Sequence, residues 1–284
     1  KYGAPPPPVP APDAVAAAGV ASAQEPDAEI ELPAWWSCPR SADGPSELVP
    51  LPFSSAARKA VQDLMDSTWK QVVTKDRKAL NAGHTVKRFE VVQVSRNENP
   101  KLWREYVKRR RSVAGRMKGE DRLTNVLTAG ASEDLGVSQA CCNEYLMFHG
   151  TKPSACDNIC QNDFLLKLAG SHRGTLYGSG LYFAESASKA DEYASDESAY
   201  KGLYAMLLCR VTLGRSLYTD EAFPDGKMLL ESCTAKGAQY DSVLGDREKT
   251  RGTYREFVVY NGSQAYPEYV VIYRREDEAE SAKE

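Results

Sequence analysis

The sequence Gly178-Ser179-Gly180-Leu181-Tyr182-Phe183-Ala184 joins a glycine-rich turn to residues that favour a β-strand. Its two glycines are explained by a turn alone. The stretch also lacks the G-x-G-x-x-G spacing and the strand-turn-helix context of a dinucleotide-binding fingerprint. Its meaning therefore depends on two other segments.

Those two segments each combine a predicted strand with a residue that can carry chemistry. The first is Phe148-His149-Gly150-Thr151, and the second is Arg255-Glu256-Phe257-Val258-Val259-Tyr260. Singly, each has an ordinary interpretation. His149 would be a core histidine bonded to the backbone, Tyr182 a strand aromatic, and Glu256 an exposed carboxylate at a strand end.

In this order, however, the three segments resemble the catalytic domain of the poly(ADP-ribose) polymerase superfamily. The resemblance is dense over residues 143–275 and looser over residues 50–112, where Asn99-Pro100-Lys101-Leu102-Trp103 is similar to a segment that precedes the transferase core. It implies an α+β fold with split, mainly antiparallel sheets and short flanking helices. The stretch Gln264–Tyr273 resembles the family's final strand pair. The implied activity is ADP-ribosyl transfer from NAD⁺, a co-substrate, to protein acceptors with release of nicotinamide and without a metal.

The resemblance also implies site residues, beginning with a His-Tyr-Glu triad of His149, Tyr182 and Glu256. Glu256 is expected to accept a hydrogen bond from the 2′-hydroxyl of the nicotinamide ribose and to oppose the positive charge that develops on that ring. His149 is expected to position the adenine-side ribose. The other implied NAD⁺ contacts are Gly150 through its backbone to the carboxamide, Tyr182 and Tyr193 on the nicotinamide ring, Thr151 on a ribose, and Lys167 near the adenosine.

One position departs from the family pattern. A helix serine that often donates to the nicotinamide carboxamide aligns with Ala190, so this bond lacks its usual donor unless Ser188 or a water replaces it. The regions Leu168–Tyr177 and Leu213–Tyr254 are also compact. Because the latter would carry the acceptor-side loop, the sequence modestly favours transfer of single ADP-ribose units over polymerisation, although Glu256 permits both.

Two other function classes stay open. A catalytically silent scaffold that binds NAD⁺ or ADP-ribose would fit Ala190, but a pure binder has no need of Glu256 at the reacting ribose. An NAD⁺ glycohydrolase would use water as the acceptor. Labelled protein would distinguish a transferase from it.

The composition of the chain limits which classes of partner it is expected to bind. The 284 residues carry a formal net charge of −3, which does not indicate a nucleic-acid-binding domain. The apolar run Leu203–Cys209 is far shorter than the roughly 20 residues of a membrane span, so no membrane association is expected. Seven scattered cysteines do not indicate a disulfide framework and favour an intracellular location, nuclear or cytoplasmic. Protein acceptors are the expected partners, with automodification included among them.

Three regions are expected along the chain: a Pro/Ala-rich linker or tail over 1–45, a catalytic domain over 46–275 with its core at 143–275, and an acidic tail over 276–284. Trp35 and Trp36 are expected to pack the end of the linker onto the domain. Cys156 and Cys160 are expected to be packing thiols, not zinc ligands.

Hydrophobic periodicity and capping residues predict the helices and strands. Helices are expected from Ser54 or Ser55 to about Val73, from Asn99 as N-cap with Pro100 first, over Pro153–Gln161 and over Ser186–Ala194. Strands are expected at Val86–Val94, Tyr145–Phe148, Gly180–Phe183, Leu203–Val211, Glu256–Tyr260 and Tyr269–Tyr273, and residues 119–139 are expected to be mainly loop. This order lacks regular βαβ alternation and favours an antiparallel α+β domain.

Overall fold

The computed structural model describes residues 30–37, 44–72, 74, 86–137, 141–166 and 175–277. The described residues from Leu32 onward belong to one unit, which is organised by a sheet. Its strands are β1 (Glu47–Pro50), β2 (Val86–Glu98), β3 (Glu144–Thr151), β4 (Leu181–Ala184), β5 (Tyr204–Thr212), β6 (Ser216–Thr219), β7 (Ser242–Asp246), β8 (Arg255–Val259) and β9 (Ala265–Asp277). They lie in the order β1-β2-β9-β5-β3-β4-β8-β7-β6, and their pairings are antiparallel except for the parallel pair β6–β7.

The sheet is split between β3 and β4. β3 pairs with β5 along its whole length, from Glu144 opposite Thr212 to Thr151 opposite Ala205. β3 and β4, in contrast, share the single pair Phe148–Ala184. The predicted split, mainly antiparallel α+β fold is therefore confirmed, and His149 directly follows the one residue that joins the two halves.

Short helices flank the sheet: α1 (Ala56–Ser67), α2 (Pro100–Ala114), α3 (Ala129–Asp134), α4 (Pro153–Asn162), α5 (Ala187–Asp191), α6 (Gly226–Thr234) and α7 (Arg247–Arg251). Single 3₁₀ turns occur at Gly119–Asp121, Ser198–Tyr200 and Gly262–Gln264. Both predicted caps are confirmed. The Ser55 hydroxyl accepts the N–H of Arg58 at 3.0 Å, and the Asn99 side chain accepts that of Leu102 at 3.1 Å.

Two predicted elements differ from the structure, and two regions contain elements that the sequence did not predict. α1 ends at Ser67 because the next residue, Thr68, donates its hydroxyl to the carbonyl of Leu64 and closes the last turn. The stretch Gln264–Tyr273 is not a strand pair. Most of it belongs to the single long strand β9, which pairs with β2 on one side and β5 on the other. The compact region 213–254 contains β6, α6, β7 and α7, and the expected loop 119–139 contains α3.

Two large apolar clusters pack on the sheet, beside a smaller third one that includes Tyr177 and Val243. One lies beneath α1 and includes Val61, Leu64 and Phe148. The other includes Cys156 and Cys160 of α4, both fully buried, which confirms that they pack in the core. Among the described residues, no group of three or more His, Cys, Asp or Glu is placed to hold a metal ion. The helices of the described part are also all too short or too polar for a membrane crossing.

The predicted packing of the tryptophan pair is confirmed for Trp36 alone. Its ring is buried, stacks on Tyr266 with centroids 6.3 Å apart, and meets Trp103 edge-on at 5.9 Å. The next residue, Ser37, donates its N–H to the Glu98 carboxylate at the end of β2. Trp35 is half exposed.

A buried ion pair lies at an irregularity in β9. The register between β5 and β9 shifts after Leu208, so that Glu268 lies between two paired residues. Its carboxylate receives two hydrogen bonds from Arg210, and both side chains are buried. Burial lowers the pKa of Arg210, but the negative charge of Glu268 outweighs that effect and raises it above its ordinary value.

Replacing Glu268 by Gln should lower the free energy of unfolding by about 3 kcal/mol, because it leaves the buried guanidinium of Arg210 without its main counter-ion. Urea unfolding would measure the loss. The matched control is Asp63→Asn, which removes an exposed partner of Lys59 and should change stability little. Equal effects of the two substitutions would contradict a structural role for the buried pair.

Candidate active site

A cavity of about 740 Å³ opens at the split in the sheet. Its wall brings together six of the seven residues that the sequence analysis selected: His149, Gly150, Thr151, Tyr182, Tyr193 and Glu256. Lys167, the seventh, lies outside the described residues. Residues more than 100 positions apart in the sequence thus share one cavity because β3, β4 and β8 are neighbours in the sheet.

His149 is held in one orientation. Its Nδ1 lies 3.0 Å from the carbonyl oxygen of Tyr182. Because a carbonyl only accepts, Nδ1 carries the proton, and in the neutral ring Nε2 is then an acceptor. Burial lowers the pKa of His149, and the bond to Tyr182 offsets this only in part. The side chain is therefore suited to receive a hydrogen bond from a ligand hydroxyl.

Gly150 is required by packing against helix α5. A Cβ at this position would overlap with the carbonyl group of Ala190. The absence of a side chain thus lets the backbone of α5 approach β3 closely. The sequence predicts that this glycine allows close approach of a ligand, and the structure shows close approach of the backbone of Ala190.

The two selected tyrosines are held differently. Tyr182 accepts the N–H of Tyr177 at 2.9 Å and donates to the carbonyl of Gly178 at 2.8 Å, so its ring has a fixed position. Tyr193 follows α5 and remains 47% exposed. Its hydroxyl lies 3.3 Å from the ammonium of Lys189. One ring is therefore anchored and the other more open to solvent.

Glu256 lies at the start of β8, opposite Ala184 of β4 and Gly245 of β7. It is 9% exposed. Its Oε1 lies 3.2 Å from the Nζ of Lys189, which also donates to Glu192 at 3.0 Å. Burial lowers the pKa of Lys189, but the charges of Glu256, Tyr193 and Glu192 outweigh that effect and raise it above its ordinary value.

Lys189, which pairs with Glu256 on the cavity wall, was not among the residues predicted from the sequence. Its spacing of three and four residues from Glu192 and Tyr193 was the available signal, because side chains so spaced meet on a helix. The contact with Glu256 depends on the packing of α5 near β8 and leaves no such local signal.

Ser188 is held by a backbone contact beyond helix α5. Its Oγ accepts the N–H of Lys70 at 2.8 Å, and the side chain is buried away from the described part of the cavity wall. Ala190 lines the cavity at the aligned position. The suggestion that Ser188 or a water supplies the bond stays a prediction.

Residues 67–275 match the family model of the poly(ADP-ribose) polymerase catalytic domain. The chain belongs to this family.

Several relatives of this PARP domain are similar over parts of their length. A probable poly(ADP-ribose) polymerase of Dictyostelium discoideum is 29% identical over 66% of the chain and 45% of that protein. The human protein mono-ADP-ribosyltransferase PARP12 is 32% identical over 46% of the chain and 17% of that protein. Human mono-ADP-ribosyltransferase PARP11 is 23% identical over 66% of the chain and 53% of that protein. The chain thus spans about half or less of the length of these relatives.

Replacing Gly150 by Ala should displace α5 and with it Lys189 and Tyr193. Overlap with main-chain atoms costs about 1–3 kcal/mol, which lowers the melting temperature by about 2–10 °C in a domain of this size. NAD⁺ affinity should fall as well. Calorimetry and titration with NAD⁺ would measure both.

The matched control is Gly130→Ala in α3, where an added Cβ meets no atom within 4 Å. This substitution should leave the melting temperature and the NAD⁺ affinity unchanged, or raise the melting temperature slightly by stabilising the helix. Normal stability and NAD⁺ binding in the Gly150 variant would contradict the close-packing argument.

Proposed function

We propose that this domain cleaves NAD⁺ and transfers ADP-ribose to protein acceptors, with single units favoured over chains. The observation that carries the proposal is Glu256, a buried strand carboxylate paired with Lys189 on the wall of a cavity that also contains His149 and Tyr182. The domain that performs the reaction extends over residues 46–275, with its core at 143–275.

The reaction breaks the bond between C1′ of the ribose and the nicotinamide nitrogen. The bonding electron pair leaves with nicotinamide, which becomes neutral, and the ribose ring acquires oxocarbenium character. An acceptor side chain then forms a bond to C1′ and loses its proton. The negative charge of Glu256 stabilises the positive charge that develops on the ribose ring, and its carboxylate accepts a hydrogen bond from the 2′-hydroxyl. Because that positive charge is largest in the transition state, Glu256 stabilises the transition state more than bound NAD⁺.

The other wall residues position NAD⁺. The Nε2 of His149 accepts a hydroxyl of the adenine-side ribose, since Nδ1 is engaged with Tyr182. Gly150 binds the carboxamide through its backbone, and Thr151 contacts a ribose. Tyr182 and Tyr193 stack on the two faces of the nicotinamide, a flat cation that suits aromatic faces. Lys167, outside the described residues, is the basic residue that the sequence predicts near the adenosine.

Lys189 orients the carboxylate of Glu256. Its ammonium engages Oε1 and leaves Oε2 to receive the ribose hydroxyl. Because Lys189 is held in turn by Glu192, the pair has little freedom to rotate away from the substrate. Lys189 therefore acts as a positioning residue.

The preference for single units rests on the compact acceptor side and on the printed names of PARP12 and PARP11, which are mono-ADP-ribosyltransferases. The elements between residues 213 and 254 are short and leave no long acceptor loop. Acceptors are other proteins, and the chain itself is one candidate through automodification.

Incubation of the chain with adenylate-labelled NAD⁺ tests the proposal. Wild-type protein should release nicotinamide and give a discrete labelled band. Glu256→Gln should lower both by about 10²–10³-fold, as expected when an electrostatic stabiliser of the transition state is removed. Binding of NAD⁺ should change only a few-fold. Glu231→Gln, which changes an exposed carboxylate of α6, is the control and should behave as wild type.

Each alternative has its own signature in that experiment. A smear of labelled protein at high mass would show that the domain makes chains of ADP-ribose instead of transferring single units. Nicotinamide release with free ADP-ribose and no labelled protein would identify a glycohydrolase. NAD⁺ binding without nicotinamide release would identify a silent scaffold and would overturn the proposal.

Replacing Ala190 by Ser should strengthen binding of free nicotinamide about fivefold, because one added hydrogen bond contributes about 1 kcal/mol. Inhibition of NAD⁺ cleavage by nicotinamide would measure the change. Ser188→Ala is the matched control and should leave the inhibition constant unchanged, since Ser188 contacts the backbone of Lys70. An unchanged constant for Ala190→Ser would show that position 190 does not face the carboxamide.

A further inference from the structure

Tyr177 is bonded through its main chain to two tyrosines, one of which, Tyr182, lines the cavity. Its backbone N–H donates to the hydroxyl of Tyr182 at 2.9 Å, and its carbonyl accepts from the hydroxyl of Tyr260. The Tyr177 side chain is almost fully buried. The main chain of Tyr177 thus anchors the ring of Tyr182, and the Tyr177 ring lies next to that ring, with centroids 6.4 Å apart.

The ring of Tyr177 lies over Gly245. A Cβ on Gly245 would overlap with the Cζ and both Cε atoms of Tyr177. The outer half of the ring therefore occupies the space in which residue 245 would carry a side chain. Because strand β7 has a glycine there, an aromatic ring from a distant loop takes that place.

That space is directly beside Glu256. Gly245 and Glu256 are opposite each other in the antiparallel pair β7–β8. Side chains of opposite residues point to the same face, with Cβ atoms about 4.5–5.5 Å apart. The ring of Tyr177 is therefore the neighbour of Glu256 on the β7 side. On the β4 side the opposite residue is Ala184, which is small.

The electrostatics agree with this placement. Burial first, and the negative charge of Glu256 second, raise the pKa of Tyr177 above its ordinary value. The residue Glu256 is only 9% exposed, although Gly245 and Ala184 offer little side-chain cover.

We infer that Tyr177 is a positioning residue of the transferase site, whose ring keeps the Glu256 carboxylate in contact with Lys189 and closes its flank to water. This inference rests on the proposed function. The acceptor nucleophile must reach C1′ next to Glu256, and water competes with it. In the productive reaction the acceptor bonds to C1′ and releases a proton. When water takes its place, the products are free ADP-ribose and a proton.

The test compares Tyr177→Leu, Tyr177→Phe, Gly245→Ala and the double variant Tyr177→Leu/Gly245→Ala. Leucine keeps the backbone bond to Tyr182 but lacks the Cε and Cζ atoms that occupy the space over Gly245. Leucine also removes the ring contact with Tyr182, and KM for NAD⁺ reports any resulting loss of binding. Labelled NAD⁺ gives kcat, KM for NAD⁺, and the ratio of free to protein-bound ADP-ribose. That ratio is independent of the folded fraction, because unfolded chains do not turn over.

Tyr177→Leu should lower kcat about tenfold and leave KM for NAD⁺ within about twofold, since misplacing one catalytic group slows chemistry more than binding. The share of free ADP-ribose should rise several-fold. Tyr177→Phe should restore both values, because it keeps the ring. Gly245→Ala displaces the ring and should act like Tyr177→Leu, whereas in the double variant the added methyl meets no ring and should cause little further loss.

The inference is overturned if Tyr177→Leu leaves kcat and the product ratio unchanged, if Tyr177→Phe is as impaired as Tyr177→Leu, or if only KM changes. Failure of the proposed function looks different. If the wild type only hydrolyses NAD⁺, transfer is excluded, and the role of Tyr177 is decided by kcat for nicotinamide release. If the wild type does not cleave NAD⁺ at all, both proposals are overturned.

Discussion

The single backbone pair between β3 and β4 is the constraint on which the site depends. A full ladder at this boundary would engage the backbone edge of His149 and Gly150, because buried N–H and C=O groups require partners. With only Phe148 and Ala184 paired, that edge borders the cavity instead. The strong pairing of β3 with β5 and of β4 with β8 keeps the two halves of the sheet in place around the opening. The cavity is therefore a consequence of strand register, and its polar wall comes from the strand edges themselves.

Helix α5 supplies the opposite wall and is held there from several sides. Five residues are too few for an isolated helix to be stable, so its position depends on tertiary contacts. Ser186 donates to the carbonyl of Thr68 at 2.7 Å, Asp191 is bound by Tyr273 and Arg275 of β9, and Gly150 admits the helix backbone. The positions of Lys189, Ala190 and Tyr193 are all set by this one docking.

Sequence reasoning succeeded where the signal was local or where three segments occurred in a recognisable order. The N-caps Ser55 and Asn99 follow from side-chain chemistry at one position, and the His149, Tyr182 and Glu256 segments lie on neighbouring strands as expected. It failed where the deciding contact is distant in sequence. The pairing of Glu256 with Lys189, the capture of Ser188 by Lys70, and the ring of Tyr177 over Gly245 each join different elements. The continuity of β9 through Pro267 was missed for a related reason, since the shift in its register depends on β5.

The charged groups around Glu256 leave a net negative charge, which suits a cationic substrate. Lys189 alone would neutralise Glu256 and weaken its attraction for the positive charge that develops on the ribose. Because Lys189 is shared with Glu192, the three groups together keep one net negative charge in a poorly solvated place. That negative charge attracts the positive nicotinamide ring of NAD⁺. As the bond breaks, it stabilises the positive charge that moves from the nicotinamide to the ribose ring. Once nicotinamide is neutral, this attraction no longer retains it, so the same arrangement assists both cleavage and release.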